Sequence, residues 1–299
     1  MHIARARVAV LATPLAMALV WLAIEGPAFA QVVNRTLHVT VVDQAGDPVP
    51  DLGPTDFIVR EDKVKREVLR VEPDRDPMQI ALLVDNSPSL RRSVNDVRAA
   101  LTSFITAITA DTPADGKHAI AIITFASRPT IDTNYTSDKA ELLKGANRIL
   151  PLPGTSPTLL DAIGESSEGL IKRHAARPVI VVVEMETLDA SFRVYDRVLE
   201  PLAESGAPLF VFGIGTPQNE QQDRTIALGR GTEESGGYYD TVLASQSLAT
   251  RMTRLANVLT HSYLVTYGRP DSLIPPKHVT VEAAKPGLVA RGAPVNEPK

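Results

Sequence analysis

The chain has 299 residues, 44% of them hydrophobic and 22% charged, with a formal net charge of −4. That is enough for one large domain, or a medium one with a small companion. With no cysteine, disulfides, thiolate-held zinc, iron–sulfur clusters and thiol catalysis are excluded. The slightly acidic balance offers no basic face for a phosphate backbone, so no nucleic-acid partner is expected.

At the amino terminus, Arg5 and Arg7 precede an uncharged run from Val8 to Ile24, which ends in Ala28-Phe29-Ala30 before Gln31. A positive start, an apolar middle and a small-residue cleavage signature predict a signal peptide over residues 1–30. The run reaches the lower limit for a spanning helix, but Pro14, Glu25 and the cleavage signature favour removal. The mature protein is therefore expected to be secreted or periplasmic, with no membrane span.

Next come three short β-rich runs, Leu37–Val42, Asp56–Arg60 and Glu67–Val71, with turn chemistry at residues 43–48. Residues 31–77 read as a small β module ending in a linker at Pro73–Pro77. It is too short for a core of its own and needs strands from elsewhere. From Gln79 the pattern changes. Continuous apolar runs at Gln79–Val84, Ala119–Phe125, Pro178–Val183 and Pro208–Ile214 suit strands buried on both faces. Between them lie helical stripes, the first being Val94, Val97, Leu101, Phe104, Ile105 and Ile108 behind a candidate cap at Ser93. This alternation predicts a parallel-sheet α/β domain over residues 78–261, whose ligands sit at the carboxyl ends of the strands. In residues 262–299, Tyr263–Tyr267 and His278–Ala283 alternate again and are expected to complete the N-terminal β module.

The most informative segment runs from Ala81 to Leu90. Asp85 ends a buried strand, with Ser87 and Ser89 at i+2 and i+4 just before an amphipathic helix. Oxygen ligands with few charges suit Mg²⁺, Mn²⁺ or Ca²⁺. The plainer alternative is that the serines cap the following turn and Asp85 bonds backbone amides.

This D-x-S-x-S resembles the metal-ion-dependent adhesion site (MIDAS) of von Willebrand factor type A domains. The segment Pro153–Ile163 is similar to that family's second loop, which supplies a threonine. Glu184, after the apolar run Val179–Val183, stands where the family usually has an aspartate. The separations of 73 residues from Asp85 to Thr158 and 99 to Glu184 suit the family, as does the turn at Gly213–Thr216. Residues 41–62, 262–270 and 278–292 resemble the flanks of exported bacterial proteins with such a domain.

The resemblance implies a Rossmann-like, doubly wound, mostly parallel sheet, with a β-sandwich-like module built from the N- and C-terminal strands. It also implies a metal site of Asp85, Ser87, Ser89, Thr158 and Glu184. Two departures stand out. Pro157 falls on the family's threonine in one alignment, so Thr158 competes with Thr155 and is preferred. Glu184 carries one methylene more than the usual aspartate.

Other constellations carry less. Gly213-Ile214-Gly215 lacks a third glycine for a dinucleotide loop. Histidines 38, 118, 174, 261 and 278 are scattered and read as surface or satisfied residues. Arg91 and Arg92 read as a solvated helix start, with contact to an acidic partner as the alternative. No catalytic constellation appears, so the chain is not expected to be an enzyme. The expected function is cation-dependent adhesion to an acidic residue of a partner protein. The alternative is a metal-independent scaffold in which the metal loops are relics.

Overall fold

The computed structural model describes residues 32–295, apart from residues 112, 114, 115, 218, 219, 272, 273, 275 and 277. The signal-peptide expectation falls outside the described residues. Within them, no helix is long and apolar enough to cross a membrane.

Residues 78–260 form a layered α/β unit. Its strands are β4 (Met78–Val84), β5 (Ala119–Thr124), β6 (Thr130–Thr136), β7 (Arg177–Met185), β8 (Leu209–Ile214) and β9 (Tyr238–Val242). They lie in the order β6-β5-β4-β7-β8-β9. All neighbours are parallel except β6, which runs antiparallel to β5. The sheet is buried on both faces, and its central strands carry unbroken apolar runs, Ile80–Val84 in β4 and Pro178–Val183 in β7. Along β4, Met78, Ile80, Leu82 and Val84 face one core while Ala81 and Leu83 face the other.

The first core is closed by α1 (Val94–Ile108), α2 (Lys139–Arg148) and α6 (Leu248–Thr260), and the second by α3 (Leu159–Lys172), α4 (Asp196–Ser205) and α5 (Gln222–Glu234). Since β5 follows on one side of β4 and β7 on the other, the chain order reverses at β4. A crevice opens at the carboxyl end of such a strand.

Three elements have no clear sequence signal. Strand β6, TIDTNYT, is polar because it is an edge strand with little of its length buried. Helix α5 contains two glycines and a short apolar stretch, and β9 is only half-buried.

The second unit draws on both ends of the described chain. Strands β1 (Val32–Val42), β2 (Phe57–Glu61), β3 (Val64–Pro73), β10 (Tyr263–Pro270), β11 (Val279–Ala283) and β12 (Val289–Pro294) make one sheet in the order β11-β2-β3-β10-β1-β12. Every pairing in it is antiparallel, and β2 pairs with β3 across the turn at Asp62-Lys63, both in the left-handed region. The sheet curls until its two outer strands meet. A Cβ on Gly292 in β12 would press on Val281 of β11. Inside the curl sit Leu37, Val39, Val41, Phe57, Val59, Tyr263, Val265, Tyr267 and Val281.

The two units meet at Asp74, in the segment read as a linker. Its Oδ2 receives His38 Nδ1 at 2.7 Å and Arg177 Nε at 3.0 Å, and its side chain is fully buried. Arg177 also donates to the carbonyls of Asp76 and Leu259 and to Ser262 Oγ. One guanidinium thus joins the start of β7, the end of α6 and the chain entering β4.

Candidate metal centre

Asp85 follows the last residue of β4 and is 1% exposed. Its amide bonds Val183 O of the neighbouring strand. The carboxylate is held from two sides, Oδ1 by the Ser87 amide at 2.7 Å and Oδ2 by the Met185 amide at 3.1 Å. Burial pushes its pKa up, tempered by hydrogen bonds from Ser87 and Met185, with no positive charge among the influences. A buried carboxylate without a counter-charge is costly.

Beside it, the Ser87 hydroxyl is also buried, against the Asp85 carboxylate. These observations fit a small cation. The Asx bond from the Ser87 amide satisfies the capping alternative for Asp85, but the carboxylate still has no ion-pair partner among the described residues.

Ser89 lies in the 3₁₀ turn Pro88–Arg92 and is exposed. Ser93 takes the N-cap position of α1 without a side-chain cap bond. Thr158 begins α3 and is buried. Its amide and its Oγ1 both donate to Phe125 O, at 2.8 and 3.2 Å, and the Phe125 amide bonds Val84 O. This relay sets Thr158 beside the end of β4. Thr155 is half-buried and donates within its own turn to Leu152 O. Pro157 supplies its carbonyl to the Ala190 amide, which fastens the second and third loops together.

Glu184 lies on the same face of the sheet as Asp85 but has a partner of its own. Arg224, in the first turn of α5, donates from Nη2 to Glu184 Oε1 at 2.8 Å and to Glu186 Oε2 at 2.9 Å. All three are buried. Tyr239 on β9 donates its hydroxyl to Glu186 Oε1. Burial and the neighbouring Glu186 push the Glu184 carboxyl up, and the Arg224 guanidinium pulls it back down. Arg224 itself is raised, because the two carboxyls outweigh its burial.

Gly213, in the Gly-Ile-Gly segment, makes room for this cluster. A Cβ there would collide with both Tyr239 Oη and Glu186 Oε1. The reading from sequence missed Arg224 and Tyr239, and the pairing of Glu186 with them. One signal was present, since two glutamates at i and i+2 ending a buried strand share a face and need a cation.

Another acidic group lies at the opposite end of the sheet. His38, Asp74 and Asp76 are close enough together to hold a metal. Yet Asp74 Oδ2 already receives His38, Arg177 and Ser262, and Oδ1 the Asp76 amide. Arg177 occupies the place a cation would need, so the cluster is a clamp between the two units.

The model of the von Willebrand factor type A domain family matches residues 80–184. A comparison with curated proteins gives no match. Among solved structures, a von Willebrand factor type A protein from Catenulispora acidiphila superposes with a TM-score of 0.51 at 9% identity, covering 91% of this chain and 74% of its own. Proximal thread matrix protein 1 from the mussel byssus, with zinc occupying its MIDAS motif, superposes with a TM-score of 0.50 at 16% identity over 67% of this chain. The chain spans 49% of that mussel protein's length. At these identities the likeness is one of fold. Together with the sheet order and the placement of Asp85, the match assigns residues 80–184 to a von Willebrand factor type A-related domain, within a chain that continues on both sides of it.

Proposed function

We propose that this is an exported binding protein, without catalytic activity, that uses a divalent cation (Mg²⁺, Mn²⁺ or Ca²⁺) to engage an acidic residue of a partner protein. The observation that carries the reading is the buried Asp85 carboxylate, with no ion-pair partner among the described residues, beside the buried Ser87 hydroxyl. The zinc in the mussel protein's MIDAS motif supports it by analogy of fold. When bound, the cation supplies an electrophilic centre able to take a carboxylate from outside.

The chain's own residues set that centre up. Two backbone amides fix the Asp85 carboxylate in one orientation. Ser87 and Ser89 offer neutral oxygens, one buried and one exposed. Thr158, with its proton committed to Phe125 O, is left as an acceptor only. Arg224 holds Glu184 and offsets its charge. The site keeps a low anionic count, which leaves a bound ion short of negative ligands and receptive to a partner's.

A metal-independent scaffold is the second reading, favoured by the engagement of Glu184 with Arg224. A thermal melt of the protein titrated with Mg²⁺, Mn²⁺ and Ca²⁺ against EDTA separates the two. Ligand that binds only the folded state raises the melting temperature by mass action. A saturable rise that vanishes in Asp85→Ala is the expected result, whereas an identical response in that variant would refute the site. No response at millimolar metal would establish the scaffold reading.

A further inference from the structure

Five of the twelve large apolar side chains exposed among the described residues, Leu150, Leu152, Leu188, Phe192 and Val194, lie in just two loops. Both loops touch the candidate metal centre. In the first, Leu152 is 48% exposed, and its amide bonds the carbonyl of Asn86, between Asp85 and Ser87. In the second, Leu188 is 55% and Phe192 95% exposed, and the loop is fastened to the residues around Thr158. The Ala190 amide bonds Pro157 O at 2.7 Å, Asp189 Oδ1 accepts the Leu159 amide at 2.7 Å, and the amides of Phe192 and Arg193 bond the Asp161 carboxylate.

Phe192 is therefore presented in water by a backbone fixed on both sides of it. With its backbone already ordered, covering the ring costs only the side chain's own rotamer freedom, and the rest of its burial counts toward affinity. Arg91 and Arg92, at the end of the turn that carries Ser89, are both exposed.

We propose that these two loops form an apolar rim that selects among acidic partners, accepting a peptide segment whose Asp or Glu lies next to a large apolar residue. The acid meets the cation held by Asp85. The neighbouring side chain packs on Leu152, Leu188 and Phe192, and further acids in the segment meet Arg91 and Arg92. This rests on the cation reading above and adds to it the kind of sequence recognised. The charge pattern decides for a peptide over a lipid surface. The two arginines stand beside a carboxylate-seeking centre, while the second loop carries Asp189 and is anchored on Asp161 of α3.

A random-sequence peptide library displayed on phage, panned on the protein in Mg²⁺ and again in EDTA, supplies the probe. Peptides enriched in Mg²⁺ are expected to pair an acid with an adjacent Leu, Phe or Trp. Their binding should vanish in EDTA and in Asp85→Ala. It should weaken about tenfold in Leu188→Ser/Phe192→Ser, whose melting temperature stays at the wild-type value because both side chains are exposed. Unchanged affinity in the double variant, with loss in Asp85→Ala, would overturn the rim and leave the cation reading intact. Binding that survives both EDTA and Asp85→Ala would overturn the cation reading, and the rim proposal with it. Enrichment of no peptide, or loss in the double variant of binding to vesicles of phosphatidylglycerol and phosphatidylcholine, would also refute the peptide assignment.

Discussion

Arg224 and Glu184 are ion-paired at 2.8 Å, with side chains 5% and 4% exposed. The same Arg224 nitrogen reaches Glu186 at 2.9 Å. A single guanidinium on α5 thus anchors the third loop of the candidate site to that helix, with Glu184 buried against it.

Removing that guanidinium leaves two buried carboxyls without a cation. Arg224→Met is expected to destabilise the fold by about 3–5 kcal/mol, read from urea unfolding. Adding Glu184→Gln and Glu186→Gln should restore a large part of the loss, because the uncompensated charge is then gone. A loss in Arg224→Met below about 1 kcal/mol would show that the pair contributes no more than a surface salt bridge.

The two candidate threonines separate by substitution. Thr158→Val removes the hydrogen bond to Phe125 O, which should cost about 1 kcal/mol, and should also abolish or strongly reduce the metal-induced rise in melting temperature. Thr155→Val should keep that rise, because its hydroxyl serves its own turn. The reverse pattern would assign the second-loop role to Thr155.

Space at Gly213 is a further quantity to measure. Gly213→Ala drives a methyl into the Tyr239–Glu186 hydrogen bond and is expected to cost about 1–3 kcal/mol. Tyr239→Phe removes the oxygen that the methyl meets first, so the two changes should be non-additive in a double-mutant cycle. Strict additivity would mean that the strain is relieved elsewhere.

The clamp between the two units predicts a pH response. Burial alone would raise the Asp74 carboxyl, but the hydrogen bond from His38 and the charge of Arg177 outweigh it and hold its pKa below the ordinary 3.8. A carboxyl depressed in the folded state contributes its stability fully above the unfolded value and loses it as pH falls through the lower folded value. Unfolding free energy should therefore drop as pH falls from about 5 to 2. Asp74→Asn, less stable at neutral pH, should show a shallower drop over that range. Equal slopes in the two proteins would remove Asp74 from the account of acid unfolding.

What could be read from the sequence was what repeats along the chain or is stated within a few residues. Runs such as Ile80–Val84 and Val179–Val183 are apolar at every position because both faces of the sheet are covered, so the buried strands and their alternation with helices were evident. The Asp85, Ser87 and Ser89 spacing was equally local, since strand end, turn and helix start follow directly on one another. Strand β6 was hidden because an edge strand needs few apolar residues, and α5 because two glycines interrupt its stripe.

Only the tertiary structure decided the electrostatics of the centre. Arg224 stands forty residues after Glu184 in the chain, and Tyr239 arrives from a strand two places across the sheet. No local pattern links them. The same holds for Asp74, whose segment carries turn-forming residues and reads as a connection between units. The fold buries it against His38 and Arg177, residues from opposite sides of the chain. Periodicity records which faces are covered, because burial of apolar surface acts residue by residue along an element. Which charge meets which depends on how elements distant in sequence pack, and that is written in the sum of all the contacts.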